Sequence, residues 1–237
     1  MHFKKNIIIG ILVIALSHSK NIIANSLTVC EIKEYNDELQ NIYFTDALGF
    51  EAFYNKTIRI LQEKKENEKK ARLKEQLEFE RKNSVTFNCY NVREISNLTT
   101  DELYSILPDS MKHLASIIIT SENDFSINAF FIAGLICQES GFLTSSRSTN
   151  SNNVAGMGVY TSSSVGYTYS SQEECVYDTV RQLDKYYLTE GAMYFYGYTL
   201  WDINEKYCID TTYKGHWADS INKISNNFLT LYREHFL

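Results

Sequence analysis

Glu139 is the only charged residue between Asp124 and Arg147, and it closes an apolar run from Ile127 to Ser140. Burial among apolar neighbours disfavours the carboxylate anion. The negative end of a helix dipole disfavours it too. A carboxyl kept protonated near neutral pH is the proton donor that glycosidic bond cleavage requires. The same residue also suits an ordinary glutamate at a helix end; the polar loop and tyrosine-rich stretch that follow are what offer a groove beside it. Other chemistries find no motif. The chain has no GxGxxG, no P-loop and no HExxH. Its five cysteines include no CxxC pair, and His113, His216 and His235 show no ligand spacing. No metal and no cofactor is expected.

The elements that must hold Glu139 read as helices. Thr99 and Glu102 have the spacing of a capping box opening a short helix that ends near Pro108. Met111 to Thr120 reads as a second helix. Ser126 is the expected cap of a third, Ile127 to Ser140, which is apolar almost all round and so belongs at the centre of the core. Gly141 is its expected stop. Residues 144–153 are polar throughout and read as loop, and residues 156–170 read as a small β-hairpin around a serine turn. Ser171 with Glu174 predicts a helix to about Leu188, and Thr199 one to about Tyr207. A last helix sets Trp217, Ile221, Ile224, Phe228 and Leu231 on one stripe. The fold class is mainly α, a helical domain with one small hairpin and no βαβ array.

Before residue 85 the composition changes. Glu63 to Lys82 is almost wholly charged, with Leu73, Leu77 and Phe79 as sparse apolar points, and predicts a solvated helix held by i,i+4 ion pairs. Lys4 and Lys5, the apolar stretch Ile7 to Leu16 and the small residues Ser17 and Ser19 describe a secretory signal, with Ala24 as a second cutting point. The expected organisation is therefore a signal over 1–24, a charged helical extension over 25–84 and a working domain over 85–237. An uncleaved anchor is the alternative for the signal, although its core is shorter than the roughly 20 residues of a membrane span. Either way the protein is expected outside the cytoplasm, secreted or periplasmic. There an odd number of cysteines leaves at least one unpaired, with Cys30 to Cys89 the preferred disulfide and Cys137, Cys175 and Cys208 read as free, in or beside helices.

The chain carries 23 Lys+Arg against 29 Asp+Glu, a formal charge of −6, which excludes a nucleic-acid binder held by phosphate contacts. Of its 17 tyrosines, twelve lie from Tyr160 onward. Phenols that both stack and hydrogen-bond suit sugars or peptides, and they also fill ordinary cores.

Taken together, residues 126–156 (SINAFFIAGLICQESGFLTSSRSTNSNNVAG) resemble the core of the glucosaminidase-type cell-wall hydrolases, glycoside hydrolase family 73 and its relatives. Glu139-Ser140-Gly141 is similar to that family's catalytic ESG, Ser145 to the serine after it, and Asn152-Asn153 with Gly156 to the turn before its hairpin. Leu98 to Leu103 resembles its opening helix and Tyr169 to Glu174 its "YsSxxE" helix start. Gly197 to Leu200 resembles its "GxTL", and Tyr207 with Trp217 its "Y…W". The resemblance covers about residues 90–235 in order. Three departures stand out: no proline opens the Glu139 helix, Leu143 replaces a glycine and could crowd the groove floor, and residues 156–170 hold no Asp or Glu.

The resemblance implies a lysozyme-like fold and hydrolysis of peptidoglycan glycan strands, with Glu139 as general acid. Tyr207 would stabilise the transition state or orient water. Ser145, Asn153, Gly156, Tyr160, Tyr167 and Tyr169 would contact substrate. The second catalytic group stays open among Glu173, Glu174, Tyr207, Tyr213 and the substrate's own acetamido oxygen. Trp201 and Trp217 read as core. A lytic transglycosylase or muramidase of the same fold is the alternative enzyme, although "GAxGLMQ" is absent after the ES pair. A non-catalytic glycan-binding envelope protein, with the charged extension as its working part, is the alternative of another class; in either case the extension offers a surface for an envelope-protein partner.

Overall fold

Short local signals set most helix ends. The computed structural model describes residues 47–159, 164, 166–208 and 215–237, so the signal segment, Cys30, Tyr160 and Tyr213 lie outside the described residues. The chain forms two units that part between Lys70 and Ala71. Of the first, the described residues are one continuous helix that begins at Ala47; this helix, α1, runs to Asn83. Leu73, Leu77 and Phe79 are exposed on it, as a solvated charged helix requires.

In the second unit α1 ends in a clamp. The Arg81 guanidinium grips the Glu102 carboxylate with both arms, at 2.7 and 2.9 Å, and also donates to Asn97 O. Glu102 belongs to helix α2 (Thr100–Ile106), whose capping box is formed as the sequence predicts: the Glu102 N–H donates to Thr99 Oγ1 and the Thr99 N–H to the Glu102 carboxylate. One carboxylate thus closes the start of α2 and fixes the end of α1.

After Pro108 the chain takes a 3-10 turn, Asp109–Leu114, and only then α3, Ala115–Phe125. The expected helix over 111–120 is therefore displaced. Ser126 does not cap the next helix: it ends α3 in the left-handed conformation, φ 51°, and the cap is Asn128. The Asn128 Oδ1 accepts the Phe130 N–H while its amide donates to Thr86 O and Glu94 O, so the cap is also a long-range tie. Helix α4, Ala129–Ser140, is buried at every position from Ala129 to Cys137. It forms the axis of the core.

Helix α8 (His216–Phe236) lies directly on α4, with contact at Gly134. A Cβ there would stand 2.4 Å from Ser225 Oγ, which donates to Phe130 O at 2.9 Å. The buried face of α8 is Trp217, Ala218, Ile221, Ser225, Phe228, Leu229 and Tyr232, with Ile224 partly buried against it. Leu231, placed on the stripe from sequence, is instead exposed at 45%; Tyr232 takes the inward position one residue on. Helix α3 packs on α6 (Gln172–Tyr187), and α7 (Leu200–Tyr207) on α8. Arg93 ties the ends of α3 and α6, donating to Phe125 O and Leu188 O and pairing with Asp184.

Two local expectations are corrected. The polar stretch 144–153 is not all loop, because Ser146–Asn150 forms helix α5, capped by Ser145. No strand occurs among the described residues, so the hairpin over 156–170 is absent there; residues 160–163 and 165 lie outside them. Tyr167 N–H does reach Met157 O at 2.8 Å, but Gly156, Gly158 and Gly166 all have positive φ, which breaks the extended run. The Asn153 side chain supplies further bonds, accepting the Met157 N–H and donating to Met157 O and Tyr167 O. The fold is mainly helical, as the sequence predicts.

Candidate active site

A carboxyl stands at each end of helix α4, one of them lent by α3. At its positive end the buried Glu122 accepts the Ala129 N–H, the Ser96 N–H and the Ser96 hydroxyl. Burial raises its pKa and these donors pull it back. At the negative end stands Glu139, with one hydrogen bond among the described residues: the Trp217 indole N–H donates to Oε1 at 2.6 Å. Its pKa is raised, because burial outweighs that one donor. Among the described residues no cation pairs with it and no second acid contributes to its shift. The arrangement favours a protonated carboxyl.

The walls around it come from three places. Trp217, 4% exposed, is the second residue of α8, and its ring lies 4.9 Å from that of Tyr207, the last residue of α7. The Tyr207 hydroxyl is buried and has no partner among the described residues. Burial, with the charge of Glu139 adding to it, drives that phenol well above its ordinary pKa, so it remains a neutral hydroxyl. Behind Tyr207 the rings of Tyr187 and Tyr194 continue the stack at 5.6 and 5.2 Å. The third wall is the turn at Gly156. A Cβ there would lie 3.7 Å from Glu139 Oε2, so the backbone meets the carboxyl with no side chain between. Asn152, with φ 53°, and Asn153 build that turn; the Asn152 amide donates to Tyr169 O and Ser170 O.

The structure thus brings Glu139, Tyr207 and Gly156 together, with Asn153 beneath the turn. Other candidates have structural employment. Ser145 caps α5, its hydroxyl accepting the Ser148 N–H. Tyr167 is 48% exposed and its ring covers Gly158. The Tyr169 hydroxyl donates to Asp178 Oδ2 on α6, in a groove of about 380 Å³ lined also by Ile117, Glu173, Tyr177 and Arg181. Ser171 caps α6 as expected, its Oγ accepting the Glu174 N–H, while the Glu174 carboxylate accepts the N–H and hydroxyl of Ser170 rather than the Ser171 N–H that a capping box would use.

Leu143 does not crowd a groove floor. It is 7% exposed and belongs to the core, reached through three consecutive left-handed residues, Gly141, Phe142 and Leu143. Ser140 Oγ holds this turn, accepting the Leu143 N–H and donating to Ile136 O. A φ of 66° at Leu143 explains why a glycine would be at home there. Trp217 is the residue that sequence reasoning assigned to packing alone; only the meeting of α8 with the end of α4 reveals its second role. Among the described residues no group of His, Cys, Asp and Glu could hold a metal ion.

No family model and no curated protein matches the chain. Among solved structures, a glutamate-to-alanine catalytic mutant of S. aureus autolysin E in complex with the disaccharide NAG-NAM matches with TM-score 0.48 and 14% identity, over 64% of this chain and 77% of that one.

Proposed function

We propose that the protein is a secreted glycoside hydrolase of the peptidoglycan glycan strand, an N-acetylglucosaminidase with Glu139 as its general acid. The observation that carries this reading is the Glu139 carboxyl itself, set at the negative end of the buried helix, lightly hydrogen-bonded and with no cation beside it among the described residues. The resemblance of residues 126–156 to the glucosaminidases supplies the substrate class.

In this mechanism Glu139 protonates the glycosidic oxygen as the bond to the anomeric carbon breaks. Positioned proton donation contributes roughly 10²–10⁴ in rate. The developing oxocarbenium charge is met by the ionised Glu139 and by the neutral Tyr207 hydroxyl. Among the described residues no second acid influences Glu139, and attack is assigned to water or to the substrate's 2-acetamido oxygen, the substrate-assisted exception to the two-carboxylate rule. That same observation favours, as second reading, a lytic transglycosylase or muramidase working with one glutamate. A binding-only envelope protein loses one of its supports, because Leu143 lies in the core.

The test is digestion of purified peptidoglycan with mass spectrometry of the released ends. Reducing GlcNAc ends identify a glucosaminidase, and MurNAc or anhydro-MurNAc ends the second reading. Binding without release by the unaltered protein would overturn both.

A further inference from the structure

Trp217 has a task beyond packing. Its indole N–H is a donor only, so at 2.6 Å the Glu139 Oε1 must be the acceptor. The carbonyl oxygen of a neutral carboxyl accepts better than its hydroxyl oxygen, so this bond biases where the proton sits. The other oxygen, Oε2, faces the bare backbone of Gly156. The indole is itself fixed: it is buried at the start of α8 and stacked on Tyr207. We propose that Trp217 is the positioning residue of the acid, holding Oε1 by its indole N–H so that the transferable proton rides on Oε2 at the Gly156 turn.

The inference rests on Glu139 being the acid, and it names the oxygen that delivers the proton. It also makes Trp217 a control on the acid's ionisation, since an N–H donor favours the anion while burial opposes it. Among the described residues, Tyr207 on α7 lies against Trp217, and Tyr187 and Cys175 on α6, with Cys208, act on that phenol together with Glu139. Burial raises Tyr207, Tyr187 and Cys175, so each stays neutral where Glu139 titrates.

The experiment compares the unaltered protein with Trp217→Phe and with a protein carrying 3-benzothienylalanine at 217, which keeps the bicyclic outline but has sulfur in place of the N–H. NMR of isotope-labelled glutamate reads the Glu139 titration directly, assigned by its loss in Glu139→Gln. Removing the donor should raise that titration by about one pH unit, the worth of one hydrogen bond to a charged group. The alkaline limb of the activity profile should move up with it, while kcat falls and KM changes little. A Glu139 titration unmoved by the benzothienyl replacement would overturn the proposal and leave Trp217 a packing residue. Full activity in Glu139→Gln would instead overturn the assignment of the acid, and the titration result would still stand alone.

Discussion

Gly134 sets how closely the helix bearing Glu139 approaches the helix bearing Trp217, and Gly134→Ala tests that directly. By helix propensity alone the substitution should stabilise α4 by about 1 kcal/mol. The new Cβ, however, would stand 2.4 Å from Ser225 Oγ and 3.3 Å from Ile221 O. One escape is rotation of Ser225, which breaks its bond to Phe130 O. That leaves a fully buried hydroxyl without a partner, at about 1–3 kcal/mol. The other is separation of α4 and α8, an overpacking that costs about 1–3 kcal/mol. Either loss exceeds the propensity gain, so a net destabilisation of about 1 kcal/mol is expected from urea unfolding. Ser225→Ala should change the sign: with the oxygen gone, adding Gly134→Ala should be neutral or stabilising. If the helices separate, the Trp217–Glu139 bond lengthens and activity falls with stability; if Ser225 rotates, activity is kept. Stabilisation of the unaltered background by Gly134→Ala would refute the close-packing argument.

Two more perturbations follow from the same geometry. Glu139 has a pKa raised above its unfolded value, so its ionisation weakens the fold as pH rises through that window. Glu139→Gln should therefore raise Tm at neutral pH, and the gain should vanish below about pH 4, where the carboxyl is protonated in both states. Leu143→Gly weighs burial against backbone strain. Losing the buried side chain costs about 2–5 kcal/mol, and relief of the left-handed conformation returns about 1–2 kcal/mol. Net destabilisation in urea is expected; a side chain on a groove floor would instead give greater stability.

What could be read from the sequence was local. Thr99 with Glu102 closes its capping box over three residues, and Thr199 caps its helix as close at hand, so composition and spacing suffice. The apolar run of α4 announces a central helix for the same reason. Helix α5 was missed because a polar helix capped by Ser145 has no apolar period to show. The displaced cap at Asn128 depends on partners more than thirty residues away, Thr86 and Glu94. Leu231 was misplaced because Leu229 and Tyr232 turn inward in its stead. At the site, the isolation of Glu139 among apolar residues was legible. Its bond to Trp217, 78 positions along, was not, since only tertiary packing creates it.

The central claim is that Glu139 donates the proton that breaks the glycan strand. Its most direct test is the rate at which Glu139→Gln releases fragments from purified peptidoglycan, set beside the unaltered protein. The amide can keep the Trp217 bond through its carbonyl oxygen but has no acidic proton to give. A fall of roughly 10²–10⁴ with the fold intact is predicted, with reducing GlcNAc ends appearing only from the unaltered protein. Equal release by both proteins would contradict the account.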